Sequence, residues 1–281
     1  MEQAQSTIDL HMHSTASDGT DTIPELLQKI LAAGIQAFSV TDHDTIAGAM
    51  EMQRIVPEGV TFLKGIEFSC ITPEGKCHIL GYRFDETASA FQAILEEGRR
   101  RRQKKLERRL AFLKEQFGIS FSAAEEEALR GMNSVGKPHL GNLLAAKGFA
   151  ADKNEAIEKY INPCKTGSDR LDGAAVVDAI LAAGGVPVWA HPLGGTGEKP
   201  VPRQQFARQL ALLKGAGLQG LECWYSLYQE EQVDFLLEQA RKNGLLVSGG
   251  SDYHGRNKPV ALGQLNAFGQ KVPIDCVDIV K

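Results

Sequence analysis

The 281-residue sequence lacks several features that indicate particular classes of protein. No apolar run approaches the length needed to span a membrane, and residues 1–7 lack the apolar core of a signal peptide. The five cysteines are scattered and show no CxxC spacing, which favours reduced thiols in a cytoplasmic protein. The net charge of −4 gives no general attraction to nucleic acid or to an anionic membrane. We therefore expect a cytoplasmic protein without membrane association, and no obligate protein partner is evident.

Apolar runs typical of strands alternate with stretches typical of helices over most of the chain. About seven such strands are predicted, which indicates an α/β protein with a parallel barrel rather than an open doubly wound sheet. Between residues 85 and 170 the pattern changes to long, charge-rich helices with no candidate strand. We therefore expect a barrel of residues 1–85 and 171–281, and a helical insertion or lid of residues 86–170.

The segment at residues 8–19 is the most informative part of the sequence. Its short strand ends in His11 and His13, and residues i and i+2 of a strand face the same side, so both imidazoles can bind one metal ion. Asp18 can return to that site from the loop that follows. A single His-x-His pair can equally be two unrelated histidines, but similar strand ends recur along the chain. Together they supply nine candidate ligands: His11, His13, Asp18, His43, Glu67, His78, His191, Asp252 and His254.

Nine nitrogen and oxygen donors are too many for one ion and indicate a cluster of two or three divalent metals. Imidazole mixed with carboxylate, without thiolate, favours Mn, Fe or Zn. Such clusters bind phosphate and generate hydroxide from water at neutral pH. A closed barrel supports this interpretation because it brings the carboxyl ends of its strands around one mouth, whereas an open sheet spreads them apart.

Several motifs resemble those of the PHP (polymerase and histidinol phosphatase) metallo-phosphoesterases. They include Asp9-Leu10-His11-Met12-His13-Ser14, Thr41-Asp42-His43-Asp44-Thr45, Ala190-His191-Pro192 and Ser251-Asp252-Tyr253-His254. Within that family the chain looks most like the bacterial 3′,5′-nucleoside bisphosphate phosphatases, a group that includes a 5′-to-3′ exoribonuclease. The resemblance implies a distorted seven-stranded (β/α) barrel. It also implies three metal sites, formed by His11, His13, Glu67 and Asp252, by Glu67, His78 and His191, and by Asp18, His43 and His254.

The resemblance further implies a metal-dependent phosphatase that removes the 3′-phosphate of 3′,5′-nucleoside bisphosphates, with trimming of short RNA from its 5′ end as a further activity. A metal-bridging hydroxide held by the ligands would attack phosphorus, with Mn as the first choice of metal and no general acid assigned. One alternative is a histidinol-phosphate phosphatase or another small-molecule phosphomonoesterase of the same family. A second alternative is a nucleic-acid-binding accessory protein.

The predicted lid supplies candidates for substrate binding. Most basic residues of the run at 98–109 are typical of a solvated helix face, but Arg102 falls on the apolar stripe of its helix and Arg99 lies beside it, where a phosphate would satisfy them. Ser134 and Lys137 flank a helix start that can bind an anion. His139 is the one histidine not assigned to metal, and we expect it to face the substrate. In the resembled phosphatases arginine is more usual at the position of Lys137, and lysine keeps the charge but loses the bidentate fork.

Overall fold

The computed structural model describes residues 6–166 and 169–281. The strands of these residues are β1 Ile8–Asp9, β2 Ala37–Val40, β3 Thr61–Thr72, β4 Gly75–Tyr82, β5 Leu171–Asp172, β6 Val186–Ala190, β7 Gly220–Tyr225 and β8 Leu246–Gly250. Their α-helices are α1 Ile23–Ala32, α2 Ala47–Ile55, α3 Ser89–Phe117, α4 Ala123–Arg130, α5 Lys137–Ala146, α6 Lys153–Ala156, α7 Gly173–Ala182, α8 Arg203–Gly215 and α9 Glu230–Asn243. A π-helical turn, Ile157–Ile161, follows α6.

Seven strands form one sheet in the order β1-β2-β3-β4-β6-β7-β8, and the short β5 pairs with the end of β3. The two outer strands approach each other, because Leu10 N–H donates to the carbonyl of Gly249 (3.1 Å) and Asp252 N–H donates to the carbonyl of His11 (2.8 Å). The close approach requires glycine at position 250, where an added Cβ would lie 2.2 Å from the Cβ of His11. The sheet is therefore a nearly closed barrel, which confirms the predicted distorted seven-stranded fold.

One strand departs from the expected parallel arrangement. β4 runs antiparallel to both β3 and β6, because it returns from β3 through the tight turn at Pro73 and Glu74 rather than through a crossover helix. The reversal places His78, near the start of β4, opposite Ala190 at the carboxyl end of β6. β3 itself continues past Glu67 to Thr72, and its last residues pair with the start of β4. A histidine at the start of a strand thereby reaches the same mouth as those at the ends of the parallel strands.

The barrel helices form where the local sequence favours them. α1 begins with a capping box in which Thr22 and Glu25 bond to each other's backbone N–H groups, with Pro24 in the first turn. Its apolar residues Ile23, Leu26 and Ile30 are buried against β2. Each such buried side chain contributes on the order of 1.5–3 kcal/mol. This packing fixes β1 and β2, which carry the first ligand candidates at their ends.

α3 joins the barrel to the helices of the predicted insertion, α4 to α6, which we call the lid. Phe91, near its start, belongs to the barrel core, whereas Leu106, Leu110 and Leu113 belong to a separate core that they form with the lid helices. The helix ends at Gly118, whose φ of 65° is the left-handed conformation that glycine adopts readily. One continuous helix therefore sets the position of the lid relative to the barrel mouth. Among the helices of the described ranges, none combines the length and the apolar character needed to cross a membrane.

Candidate metal centre

The nine predicted metal-binding side chains surround one cavity of about 170 Å³ at the barrel mouth. We call it the metal cavity. Seven of the nine line it directly: Asp18, His43, Glu67, His78, His191, Asp252 and His254. The other two, His11 and His13, are fully buried, and their Nε2 atoms lie 3.3 and 3.2 Å from Glu67 Oε2. Side chains from distant parts of the sequence thus converge as the strand-end pattern requires.

Glu67 lies at the centre of this group. Its Oε2 atom faces His11, His13 and the Nδ1 atom of His43, the last at 2.8 Å. Its Oε1 atom faces His78 Nδ1 at 2.8 Å and His191 Nε2 at 3.1 Å. A carboxylate with different imidazoles around each oxygen is placed to bridge two metal ions.

The other two carboxylates flank Glu67. Asp252 Oδ1 lies 3.6 Å from His11 Nε2 and 3.5 Å from His13 Nε2. Asp18 Oδ1 lies 3.3 Å from His254 Nε2 and 4.0 Å from His43 Nε2. Three groups have donor atoms within 4.8 Å of one another, namely His13, Asp18, His43 and His254, then His11, His13 and Asp252, and then His43, Glu67 and His78. Because His13 and His43 each belong to two groups, the division of the nine residues among three sites stays a prediction.

The local backbone is unusual at this mouth. His191 directly follows β6 and has a φ of 28°, and Asp252, two residues after the end of β8, has a φ of 58°. The φ of Asp44 is 49°. Non-glycine residues adopt this left-handed region rarely, and each such residue costs about 1–3 kcal/mol. The loop that contains Asp18 is held in place by Asp42, whose carboxylate accepts hydrogen bonds from Ser14 and Ser17. The fold thus maintains a strained, fixed geometry around the candidate ligands.

Several buried polar atoms of the centre lack a hydrogen-bond partner among the described residues: His11 Nε2, His13 Nε2, Asp18 Oδ1, His43 Nδ1, Glu67 Oε2 and His78 Nε2. Buried polar atoms are normally satisfied, and each orphan costs roughly 1–3 kcal/mol. All six are donor atoms of the types that divalent metals accept. The residues present therefore fit a metal cluster.

The electrostatics of the site lead to the same conclusion. Burial acts to raise the pKa of Glu67, but the neighbouring His43 and His78 outweigh it and hold that pKa well below its usual range. Burial lowers the pKa of His43 to about 4, so this imidazole is neutral and has a free lone pair. Burial opposes protonation of His13, yet the adjacent carboxylates of Asp252 and Glu67 raise its pKa to about 9. The carboxylates thus attract positive charge, which a divalent ion can supply in place of protons.

Three residues that contact the candidate ligands were not predicted from the sequence. Glu222 is fully buried, and its Oε1 lies 2.9 Å from His11 Nδ1 while its Oε2 accepts a hydrogen bond of 2.7 Å from His191 N–H. Tyr225 donates to Asp252 Oδ2 (2.9 Å), and Lys258 donates to the same oxygen (2.6 Å). A glutamate within the otherwise apolar strand at 218–224 was the available signal for Glu222. No comparable signal in the sequence marks Tyr225 or Lys258.

The predicted substrate-binding residues lie in different surroundings in the structure. Arg102 is paired within the protein, since its Nε donates to Asp44 Oδ2 (2.6 Å) and its Nη2 to Ser69 Oγ (3.0 Å). Arg99 is exposed and lines a different cavity beside Asp44. Ser134 is buried and lacks a partner for Oγ among the described residues. Arg102 is therefore paired with Asp44 in this structure, and its contact with a phosphate stays a prediction.

Lys137 and His139 lie at the start of α5. Lys137 lines a cavity of about 540 Å³, which we call the cation cavity, together with Lys76 and Arg170. His139 Nδ1 accepts a hydrogen bond of 2.9 Å from Gly136 N–H, which fixes its ring. The cation cavity and the metal cavity share Glu198 as a wall.

The comparisons with known proteins agree with this architecture. The PHP domain model matches residues 9–117. The chain is 30% identical over 253 residues to a 5′-3′ exoribonuclease of Haemophilus influenzae, covering 88% of this chain and 89% of the relative. It is 30% identical over 261 residues to a 3′,5′-nucleoside bisphosphate phosphatase of Chromobacterium violaceum, covering 89% and 87%.

A solved structure of a Chromobacterium violaceum amidohydrolase with bound sulfate and no metal superposes with a TM-score of 0.83, at 26% identity and with 98% and 94% of the two chains covered. The fold, the site and these similarities together define a metal-dependent phosphoesterase. The chain belongs to the PHP family.

Proposed function

We propose that the nine candidate ligands hold two or three divalent metal ions, with Mn as the first choice and Fe or Zn also compatible. Imidazole and carboxylate donors suit these ions, and the buried Cys70, Cys77 and Cys223 belong to none of the three donor groups. Bound ions of this kind supply Lewis acidity, which makes water a stronger nucleophile and neutralises charge on a phosphoryl group. The five free cysteines are consistent with a reducing, cytoplasmic location.

We further propose that the enzyme removes the 3′-phosphate from 3′,5′-nucleoside bisphosphates. The observation that carries this proposal is a set of cations in and around the cation cavity that form no salt bridge with a carboxylate among the described residues, although Glu198 lines the same cavity. We call this set the cation cluster; it consists of Lys76, Lys105, Arg109, Lys137 and Arg170. A substrate with a second phosphate would satisfy it.

Arg109 is the most informative member of the cation cluster. Its side chain is 8% exposed, lies on the inward face of α3, and its Nε has no hydrogen-bond partner within the described ranges. Burial, followed by the charge of Arg102, lowers the pKa of Arg109 to about 10. A buried guanidinium without an anion is costly, so its retention here indicates a ligand that carries negative charge.

Two lysines of the cation cluster also have a lowered pKa. Burial, followed by the charges of Arg102 and Arg170, lowers the pKa of Lys105 to about 7. Partial burial, followed by the charges of Arg109 and Lys76, lowers the pKa of Lys137 to about 8. Each lysine is thus less basic than usual, first because of burial and second because other cations lie close to it. A phosphate bound among them would relieve this repulsion.

The protein's own residues would then orient the substrate across two adjoining cavities. The ester phosphate would lie at the metal cavity, and the remaining 5′-phosphate would lie in the cation cavity, with Lys137 and Arg170 as donors. Ser134 Oγ, which is buried and has no hydrogen-bond partner among the described residues, is available as a further donor. Binding energy from the distant phosphate would position the ester that is cut.

The alternatives fit the contacts less well. A substrate with one phosphate, such as histidinol phosphate, leaves the cation cluster unsatisfied. A nucleic-acid-binding accessory gives no role to the buried convergent donors of the metal cavity. The proposed substrate accounts for both features.

The test compares the manganese-loaded enzyme on adenosine 3′,5′-bisphosphate, adenosine 3′-monophosphate and histidinol phosphate. We expect kcat/KM for the bisphosphate to exceed that for the monophosphate by about 100-fold, since two or more charge-assisted contacts are added. Arg170→Gln should reduce this preference about tenfold. The matched control Arg54→Gln removes an exposed positive charge on α2 and should leave it unchanged. Equal turnover of both adenosine nucleotides, or activity on histidinol phosphate alone, would contradict the proposal.

A further inference from the structure

A large cavity outside the cation cluster adjoins the metal cavity. Its volume is about 760 Å³, and it opens between the lid and the loop that follows β8. We call it the side cavity. Its polar lining consists of Asn142, Asp152, Lys153 and Asn154 from the lid, and Thr20, Arg256, Asn257 and Lys258 from the barrel. The carboxylate of Asp152 accepts hydrogen bonds from the backbone N–H groups of Asn154 and Glu155 at the start of α6. The volume lies within the range of roughly 300–1,000 Å³ that is typical of sites for small ligands.

The side cavity is separated from the metal cavity by a thin wall. Lys258 lines both cavities, and its Nζ lies 2.6 Å from Asp252 Oδ2. Asn257 donates from Nδ2 to the backbone carbonyl of Asp18 (2.7 Å). The cation cavity meets the metal cavity at a different residue, Glu198. Within residues 6–166 and 169–281, no residue lines both the cation cavity and the side cavity. The metal cavity therefore has two separate neighbours.

The lining of the side cavity has the chemistry of a site for a phosphate-containing chain. Lys153 donates to the carbonyl oxygen of Asn257 (2.7 Å) and has no carboxylate partner within the described ranges. The side chain of Arg256 is exposed, and the described residues give it no ion pair. Positive charge combined with amide groups suits the backbone of single-stranded nucleic acid. Among the residues that the structure describes, no aromatic side chain lines this cavity, so stacking of bases contributes little to binding there.

Cleavage of an oligoribonucleotide by the proposed reaction requires a second cavity beside the metal cavity. In a bisphosphate, water forms a bond to phosphorus, the bond from phosphorus to O3′ breaks, and O3′ leaves with a proton. In an oligoribonucleotide the same bond breaks, but the phosphorus carries one more substituent, the 5′-oxygen of the next nucleoside. Hydrolysis then releases a nucleoside 5′-phosphate and a chain that begins with a 5′-phosphate. Because the terminal phosphate occupies the cation cavity, that substituent must extend elsewhere.

We propose that the side cavity binds the nucleotide that follows the cut phosphate in a 5′-phosphorylated oligoribonucleotide. This inference rests on the proposed function, since it places the cut phosphate at the metal cavity and the terminal phosphate at the cation cluster. Arg256 and Lys153 contact the chain beyond the cut, and they do so without regard to base sequence. The side cavity is empty when the substrate is a mononucleotide.

The test measures two substrates with the manganese-loaded enzyme: adenosine 3′,5′-bisphosphate and a 5′-phosphorylated tetra-adenylate. Arg256→Glu should raise KM for the tetranucleotide about tenfold and leave kcat/KM for the bisphosphate within twofold. Lys153→Gln, which keeps a donor for the carbonyl of Asn257, should act in the same direction. Either variant should also reduce the salt dependence of tetranucleotide turnover, by about 0.7 in the slope of the logarithmic plot. The control Lys271→Glu changes an exposed charge that lines neither cavity and should alter none of these values.

The outcomes separate this inference from the proposed function. Turnover of the bisphosphate with no turnover of the tetranucleotide would overturn the side-cavity proposal and leave the proposed function intact. Equal losses on both substrates, or no loss on either, would overturn the side-cavity proposal as well. Selective loss on the tetranucleotide supports it. Turnover of the tetranucleotide without the bisphosphate would instead contradict the proposed phosphatase activity.

Discussion

The carboxylate of Glu222 joins two of the candidate ligands, because one of its oxygens lies 2.9 Å from His11 Nδ1 and the other accepts a hydrogen bond of 2.7 Å from the backbone N–H of His191. Because a carboxylate only accepts hydrogen bonds, His11 Nδ1 is the donor to Glu222. The proton of that imidazole therefore lies on Nδ1 and the lone pair lies on Nε2. His11 Nε2 is the atom that faces Glu67 and Asp252. Glu222 therefore sets both the tautomer and the position of a candidate metal ligand.

The first prediction concerns Glu222→Gln. The amide keeps the shape of the side chain but loses its charge, so His11 is held less firmly and becomes a weaker donor. We expect metal affinity to fall roughly 10- to 100-fold, as is typical when such a partner of a ligand is changed. Titration of the metal-free protein with Mn²⁺ against a chelating indicator measures this. Glu238→Gln, on the exposed side of α9, is the control. Unchanged affinity in Glu222→Gln would show that Glu222 has no such role.

The second prediction concerns removal of metal. Without bound cations, the orphaned donor atoms of the metal cavity and its clustered carboxylates destabilise the fold. Saturating Mn²⁺ at about 100 times its Kd should stabilise the protein by roughly 2.7 kcal/mol. This corresponds to a rise in Tm of about 5–10 °C over the EDTA-treated protein. Differential scanning fluorimetry measures the change, and identical melting curves with and without Mn²⁺ would contradict it.

The third prediction concerns the ion pair of Arg102 and Asp44, which connects the lid to the barrel. Arg102→Met leaves the Asp44 carboxylate buried and without its cation, which should cost about 3–5 kcal/mol. The double variant Asp44→Asn/Arg102→Met should recover part of this loss, because neither charge then remains. Urea unfolding of both variants gives the two free energies. If Arg102→Met retained wild-type stability but raised KM for the bisphosphate, the guanidinium would serve the substrate rather than Asp44.

The fourth prediction concerns the pH dependence of binding to the cation cluster. Burial and the charges of Arg102 and Arg170 lower the pKa of Lys105 to about 7, while Asp44 opposes this shift. Lys105 is thus protonated below pH 7 and loses its positive charge as the pH rises through 7. We expect KM for adenosine 3′,5′-bisphosphate to increase between pH 6 and pH 8 relative to KM for adenosine 3′-monophosphate. The ratio of the two KM values removes the pH effects that both substrates share at the metal cavity.

Lys105→Arg provides the matched variant for this pH experiment. Arginine stays protonated throughout the range, so the ratio of the two KM values should become independent of pH. A ratio that changes in the variant as it does in the wild type would show that another group is responsible.

The sequence was sufficient to predict the barrel and the nine convergent side chains, because their signal is local. A strand that ends in histidine or a carboxylate can be recognised within about ten residues, and a closed barrel brings such ends together. The direction of β4 was mispredicted although its signal was also local. Pro73 and Glu74 leave only two residues between β3 and β4, and such a short connection requires an antiparallel pair.

The partners of charged residues could not be predicted in this way. The periodicity of α3 placed Arg102 on an inward face, but the sequence does not show that Asp44 lies next to it in the fold. Arg109 and Arg170 are separated by 61 positions, and their proximity depends on how the lid packs on the barrel. Glu222 was visible as a charge in an apolar strand, yet its two hydrogen bonds depend on the registers of β6, β7 and β8.

The most direct test of the metal centre is anomalous diffraction from crystals of the protein that have been loaded with Mn²⁺. The account predicts two or three anomalous peaks within the metal cavity, each within bonding distance of several of the nine side chains His11, His13, Asp18, His43, Glu67, His78, His191, Asp252 and His254. A map with no peak at these residues, or with peaks only elsewhere on the protein, would contradict the account.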